Sequence, residues 1–132
     1  MKSQEIQEII EEIEQINNRL QGLIKGERKV AAKEIMADAS DALEDAASCL
    51  KSLWKRQIMK KEELQKLIEE IDSSHKKLVF LIMDWKKRYQ RGEMTKEEKA
   101  AETSAIWDMD EASDALKDAT NLLEKAVNLL EE

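Results

Sequence analysis

The chain has 132 residues and a mass of 15.3 kDa, the size of one domain. Charged residues make up 39 % and apolar residues 42 %, with no proline and three glycines, which excludes a disordered chain, a membrane-like one and a turn-rich β-sandwich or barrel. A net charge of −7, spread as alternating signs along the chain, argues mildly against nonspecific duplex binding, which needs a basic face, and does not read as an acidic mimic of nucleic acid.

The single cysteine, Cys49, rules out an internal disulfide and a CxxC metal site, and the single histidine, His75, rules out most zinc sites. No run approaches the ~20 apolar residues of a membrane span. Met1-Lys2-Ser3-Gln4-Glu5 enters a polar helical pattern directly, with no signal peptide, so the expected location is the cytoplasm.

In chain order, Ile6, Ile9, Ile13, Ile16, Leu20 and Leu23 recur at steps of three and four, an a/d heptad stripe widened by Ile10 and Ile24. With Ser3 as N-cap and Gly26 as C-terminal stop, the first helix is expected over about 3–25. A second stripe, Met36, Ala39, Leu43, Ala46, Leu50 and Leu53, predicts a helix over about 28–57. A third, Leu64, Leu67, Ile71, Leu78, Leu81 and Trp85, runs to about 91, where Gly92 stops it. Thr95-Lys96-Glu97-Glu98 has the spacing of a capping box, with Thr95 on the N3 amide and Glu98 reaching back. It opens a fourth helix carrying Met109, Ala112, Leu116, Ala119, Leu123, Ala126 and Leu130.

These four helices read as two tandem copies of one αα-hairpin, residues 1–58 and a longer 59–132. At an offset of 58, Ile10-Glu11-Glu12-Ile13 meets Ile68-Glu69-Glu70-Ile71, and Leu23-Ile24 meets Leu81-Ile82. At an offset of 73, Ala39-Ser40-Asp41-Ala42-Leu43 meets Ala112-Ser113-Asp114-Ala115-Leu116. Heptad likeness accounts for the matched apolar positions, but not for Ser40/Ser113 or Asp41/Asp114, so duplication is the better reading. The second hairpin is longer by about one heptad on each arm and should project roughly 11 Å beyond the first.

The expected fold is an all-α, antiparallel four-helix bundle in a single domain. The joint between the second and third helices is its open point, because Lys55–Lys61 holds no breaker and the heptad phase runs through it. A turn near Gln57–Lys60 gives a compact monomer, whereas a continuous helix of about 60 residues (~90 Å) would leave an exposed seam and require a homodimer. Gln57 and Lys60 are polar at seam positions, which favours the turn and the monomer.

Catalytic constellations are sparse. His75 is the only candidate base; it sits at the seam edge beside Ser73 and Ser74, where Asn17 stands in the first hairpin, and reads as part of a polar layer that sets register. Asp72-Ser73-Ser74-His75 is a distant variant of the Glu-x-x-His element of di-iron bundles, but a second histidine is lacking. Glu8-x-x-Glu11, Glu11-x-x-Glu14, Asp38-x-x-Asp41 and Glu111-x-x-Asp114 resemble the ExxE and ExxD elements of the all-helical nucleotide pyrophosphatases, which implies a Mg²⁺-dependent enzyme. The heptad phase sets Asp38, Asp41, Glu111 and Asp114 on the solvent side, whereas metal-binding carboxylates must converge inward. No catalytic residue, metal ligand or cofactor is therefore expected.

The apolar residues that exceed the core's needs lie in the second hairpin. Phe80 and Trp107 fall at outward positions, and Val79, Phe80 and Met83 make 78–83 apolar on every side, where the first hairpin has Gln21, Gly22 and Lys25. A helix apolar all round is covered by something. Beside this patch, Lys86, Lys87, Arg88 and Arg91 form a basic tip around Tyr89, a mixture that suits single-stranded nucleic acid or an acidic protein surface. The expected function is a non-catalytic interaction protein that docks on a protein partner through the second hairpin, of the kind found among phage or mobile-element inhibitors and regulators and small subunits of complexes. The alternatives are the pyrophosphatase-like enzyme and a nucleic-acid-associated subunit using the basic tip.

Overall fold

The computed structural model describes residues 2–27, 30–56 and 61–131. They form four helices, α1 (Lys2–Gly26), α2 (Val30–Arg56), α3 (Lys61–Gln90) and α4 (Lys96–Glu131), which pack together as an all-α bundle. Each helix packs on its neighbours in the ring α1–α2–α3–α4, and α2 also meets α4 across the diagonal. The turn expected at Gln57–Lys60 lies outside the described residues. Its consequence does not: Cys49 Sγ comes within 4.0 Å of Glu63 Oε2, whereas a continuous helix would hold the two residues roughly 21 Å apart. The long-rod architecture is excluded.

The stripes build the core. Ile6, Ile13 and Leu20 of α1 and Leu64, Ile71 and Leu78 of α3 are fully buried, facing Met36, Leu43 and Leu50 of α2 and Met109, Leu116 and Leu123 of α4. On α2 and α4 the large residues alternate with Ala39, Ala46, Ala112 and Ala119, all with no exposure. Methyl-sized side chains let these two helices approach, which is why contact crosses the α2–α4 diagonal.

Several boundaries differ from expectation. Ser3 lies inside α1, which begins at Lys2. Gly26 is the last residue of α1 and is not left-handed; the chain leaves the helix with the Glu27 amide donating to the Ile24 carbonyl at 3.3 Å. Gly92, at φ 69°, does take the left-handed conformation, and the Glu93 amide beyond it donates to the Arg88 carbonyl. Thr95 caps α4 by accepting from the Glu98 amide at 3.1 Å, but the Glu98 carboxylate turns to Arg88 at 3.7 Å rather than back to the cap. Ile16, Leu23, Leu67 and Leu81 are only half-buried. Ile16 and Leu122 floor an open groove of about 550 Å³ between α1 and α4, and its polar walls (Gln15, Arg19, Asp118, Asn121) admit water to the seam.

Candidate interaction surface

A polar layer fixes how the arms of each hairpin meet. In the first hairpin the Ser40 hydroxyl donates to Asn17 Oδ1 at 2.6 Å, and both residues are buried. The amide groups of Asn17 and Gln21 donate to Glu44 at 3.5 and 3.2 Å. In the second hairpin His75 Nδ1 lies 2.9 Å from both the Ser113 hydroxyl and the Ser113 carbonyl. The offsets of 58 and 73 carry Asn17 onto His75 and Ser40 onto Ser113, so matched positions are in hydrogen-bond contact in both hairpins. A buried polar pair left unmade is expensive, so the Asn17–Ser40 pair penalises any slip of its arms, and the half-buried His75 with Ser113 does so less strongly.

That layer sets the heights of everything above it. A Cβ on Gly26 would lie 3.9 Å from Asp108, so α1 ends twelve residues, roughly 18 Å, short of the start of α4 at Lys96. With His75 opposite Ser113, Asp108 is level with Phe80, and α3 runs on for a further ten residues, roughly 15 Å. The upper part of the second hairpin stands clear of the first. Met94 is buried at its tip; Trp85 packs on Tyr89 at 5.3 Å between ring centres, and Lys99 lies 4.7 Å from the Tyr89 ring.

At the shoulder where the first hairpin stops, the outer faces are apolar. Phe80 is 71 % exposed, Trp107 73 % and Met83 52 %, while Val79 is half-buried. Val30, at the start of α2 and at the same height, is 70 % exposed; its off-stripe position next to Arg28-Lys29 was the only signal for it in the sequence. In the first hairpin the position equivalent to Phe80 is Gly22, where an added Cβ would meet nothing within 4 Å. The outer face is open in both hairpins, and only the second fills it with hydrocarbon.

The basic tip is only partly cationic in effect. Arg88 pairs with Glu98, Arg91 lies 3.9 Å from Glu93, and Lys86 and Lys87 are exposed. The carboxylates that resemble pyrophosphatase elements do not converge: Glu8, Glu11, Glu14, Asp38, Asp41 and Asp114 are all exposed, Glu14 pairs with Lys51 at 2.6 Å, and Glu111 pairs with Arg19 at 3.4 Å. Asp72, in the Asp-x-x-His stretch, pairs with Lys76 at 3.0 Å. Among the described residues no group of three or more His, Cys, Asp or Glu side chains is arranged to hold a metal ion, and no helix is long and apolar enough to cross a membrane. The chain matches no protein-family model, no curated protein and no solved structure at a significant level.

Proposed function

We propose that this chain is a non-catalytic, cytoplasmic helical-bundle protein that docks on a protein partner through its second hairpin. Inhibitors or regulators encoded by phages and mobile elements, and small subunits of larger complexes, are the kinds of protein this describes. One observation carries the reading: Phe80 and Trp107, the most exposed large apolar side chains described, stand with Met83 at one height on the outer faces of α3 and α4. Aromatic residues presented this way are the usual anchors of protein interfaces. The paired Asn17–Ser40 and His75–Ser113 bonds support an origin by hairpin duplication, after which the second copy acquired the docking face.

The test is affinity capture from the native host with the full chain as bait, read by mass spectrometry, beside a Phe80→Ala/Trp107→Ala double variant. The expected result is a stoichiometric protein partner retained by the natural chain and lost by the variant at unchanged thermal stability. Equal retention by both overturns the reading.

A further inference from the structure

The shoulder carries charge as well as hydrocarbon, and both helices present it in a regular order. Along α3 a single stripe, at steps of four, three, four and four, reads Asp72, Lys76, Val79, Met83 and Lys87. Along α4 a stripe at steps of four, three, four and three reads Thr103, Trp107, Asp110, Asp114 and Lys117. Each lies one step outward, on its own helix, from the His75–Ser113 bond, so both face the same side of the bundle. No lysine or arginine occurs between Lys99 and Lys117, so Trp107 stands in an acidic stretch, whereas Met83 is flanked by Lys76 and Lys87.

Heights follow from the same bond, because α3 and α4 run antiparallel. Asp72, three residues before His75, is level with Lys117, four after Ser113. Lys76, one after His75, is level with the interval between Asp110 and Asp114. Met83, eight after His75, lies within two residues, roughly 3 Å, of the height of Trp107, six before Ser113. At these three heights the α3 stripe carries the complement of the α4 stripe: anion to cation, cation to anion, apolar to aromatic; Val79 and Lys87, level with the neighbourhoods of Asp110 and Thr103, add no such match.

From this complementarity we infer that the partner of the docking face is a second copy of this chain, held about a two-fold axis parallel to the bundle and lying outside α3 and α4. Such an axis turns the face over without changing heights and lays α3 of one copy along α4 of the other, twice over. Met83 and Val79 of each copy cover Trp107 of the other, and Lys76 of each leaves its solvent-exposed pair with Asp72, at 3.0 Å, to meet Asp110 and Asp114 of the other. An isologous contact of this kind closes on itself and leaves no further face to propagate. The inference rests on the proposed docking role of the second hairpin and names its partner.

Sedimentation equilibrium on the full chain at about 100 µM, where any complex tighter than ~10 µM is mostly formed, is the first measurement. The expected mass is twice the 15.3 kDa of the chain. Lys76→Glu/Lys87→Glu and Asp110→Lys/Asp114→Lys, all at exposed positions, should each run as monomers with unchanged helicity, and their equimolar mixture should restore the dimer. The second variant is the sharper one. It brings the net charge of −7 closer to zero, so association limited by overall repulsion would strengthen, whereas the proposed contact weakens. A monomeric natural chain, a more strongly dimeric Asp110→Lys/Asp114→Lys, or a mixture that stays monomeric overturns the second copy as occupant. A monomer that still loses a host protein on Phe80→Ala/Trp107→Ala keeps the docking role and replaces only its partner.

Discussion

Asn17 and Ser40 in the first hairpin stand where His75 and Ser113 stand in the second, and each pair is in hydrogen-bond contact; five residues further along, Gly22 stands where Phe80 does. The two hairpins are alike where they face each other and different where they face outward. The inward likeness follows from packing, since a slip of one residue would strand a buried polar group and misplace every leucine. The outward difference has no such cause. Phe80 is 71 % exposed and an added Cβ at Gly22 meets nothing within 4 Å, so core packing does not dictate the choice between hydrogen and benzyl, and the proposed docking role is what would account for it.

The largest way to break the likeness is through the core that both hairpins share. Leu20→Ala in α1 and Leu116→Ala in α4 each remove a fully buried side chain and should each cost about 2–5 kcal/mol in chemical denaturation. Near-neutral values at both would mean that the inward faces are wrongly assigned.

A smaller effect separates the two polar pairs. Ser40→Ala takes from buried Asn17 the donor on its Oδ1 atom and should cost about 1–3 kcal/mol. Ser113→Ala removes the hydroxyl, but the Ser113 carbonyl, also 2.9 Å from His75 Nδ1, survives the substitution, and His75 is only half-buried. Its loss should be about 1 kcal/mol or less. Equal losses in parallel denaturation curves would show that the carbonyl contact does not sustain His75.

How much of this was legible in the sequence follows from which physical effects are local. The stripes Ile6–Leu20 and Met109–Leu123 announce themselves because helical periodicity is a property of one segment. The left-handed Gly92 and the Thr95 cap were legible for the same reason. Ser40 and Ser113 were visible as a matched pair of residue types, but the contacts with Asn17 and His75 depend on the register between helices, which no single segment encodes. The half-burial of Ile16 and Leu23 escaped the heptad reading because a straight helix drifts against a seven-residue repeat and because the groove walls opposite Ile16 are polar. Phe80, Met83 and Trp107 were identified as excess hydrocarbon; that they share one height with Val30 required the bundle.

Gly22 tests the outward comparison with a change of favourable sign. It sits inside α1, an added Cβ meets nothing within 4 Å, and its backbone is not left-handed. Gly22→Ala should stabilise the chain by about 0.5–1 kcal/mol, the difference in helix propensity and unfolded-state entropy. A loss of stability in thermal melts would mean that this face of the first hairpin is covered.

The smallest expected change is the most telling. Phe80 and Trp107 each present about seven-tenths of their surface to water, so truncation forfeits little burial in the isolated chain. Against that small loss, alanine is the better helix former by about 0.5 kcal/mol at each site. The two terms nearly cancel, and Phe80→Ala and Trp107→Ala should each leave stability within about ±0.5 kcal/mol, the range of ordinary surface substitutions. The measurement has to be made on dilute monomer, because a bound partner would add its own binding energy to the natural chain and make the same substitutions look destabilising. That dependence sharpens the comparison. Leu78→Ala, two residues from Phe80 and fully buried, should cost about 2–5 kcal/mol at every protein concentration, whereas the cost of Phe80→Ala should grow from near zero as the concentration of partner rises. A loss of several kcal/mol at both Phe80 and Trp107 in dilute monomer would place them in the core, and the outward difference between the hairpins would then belong to folding after all.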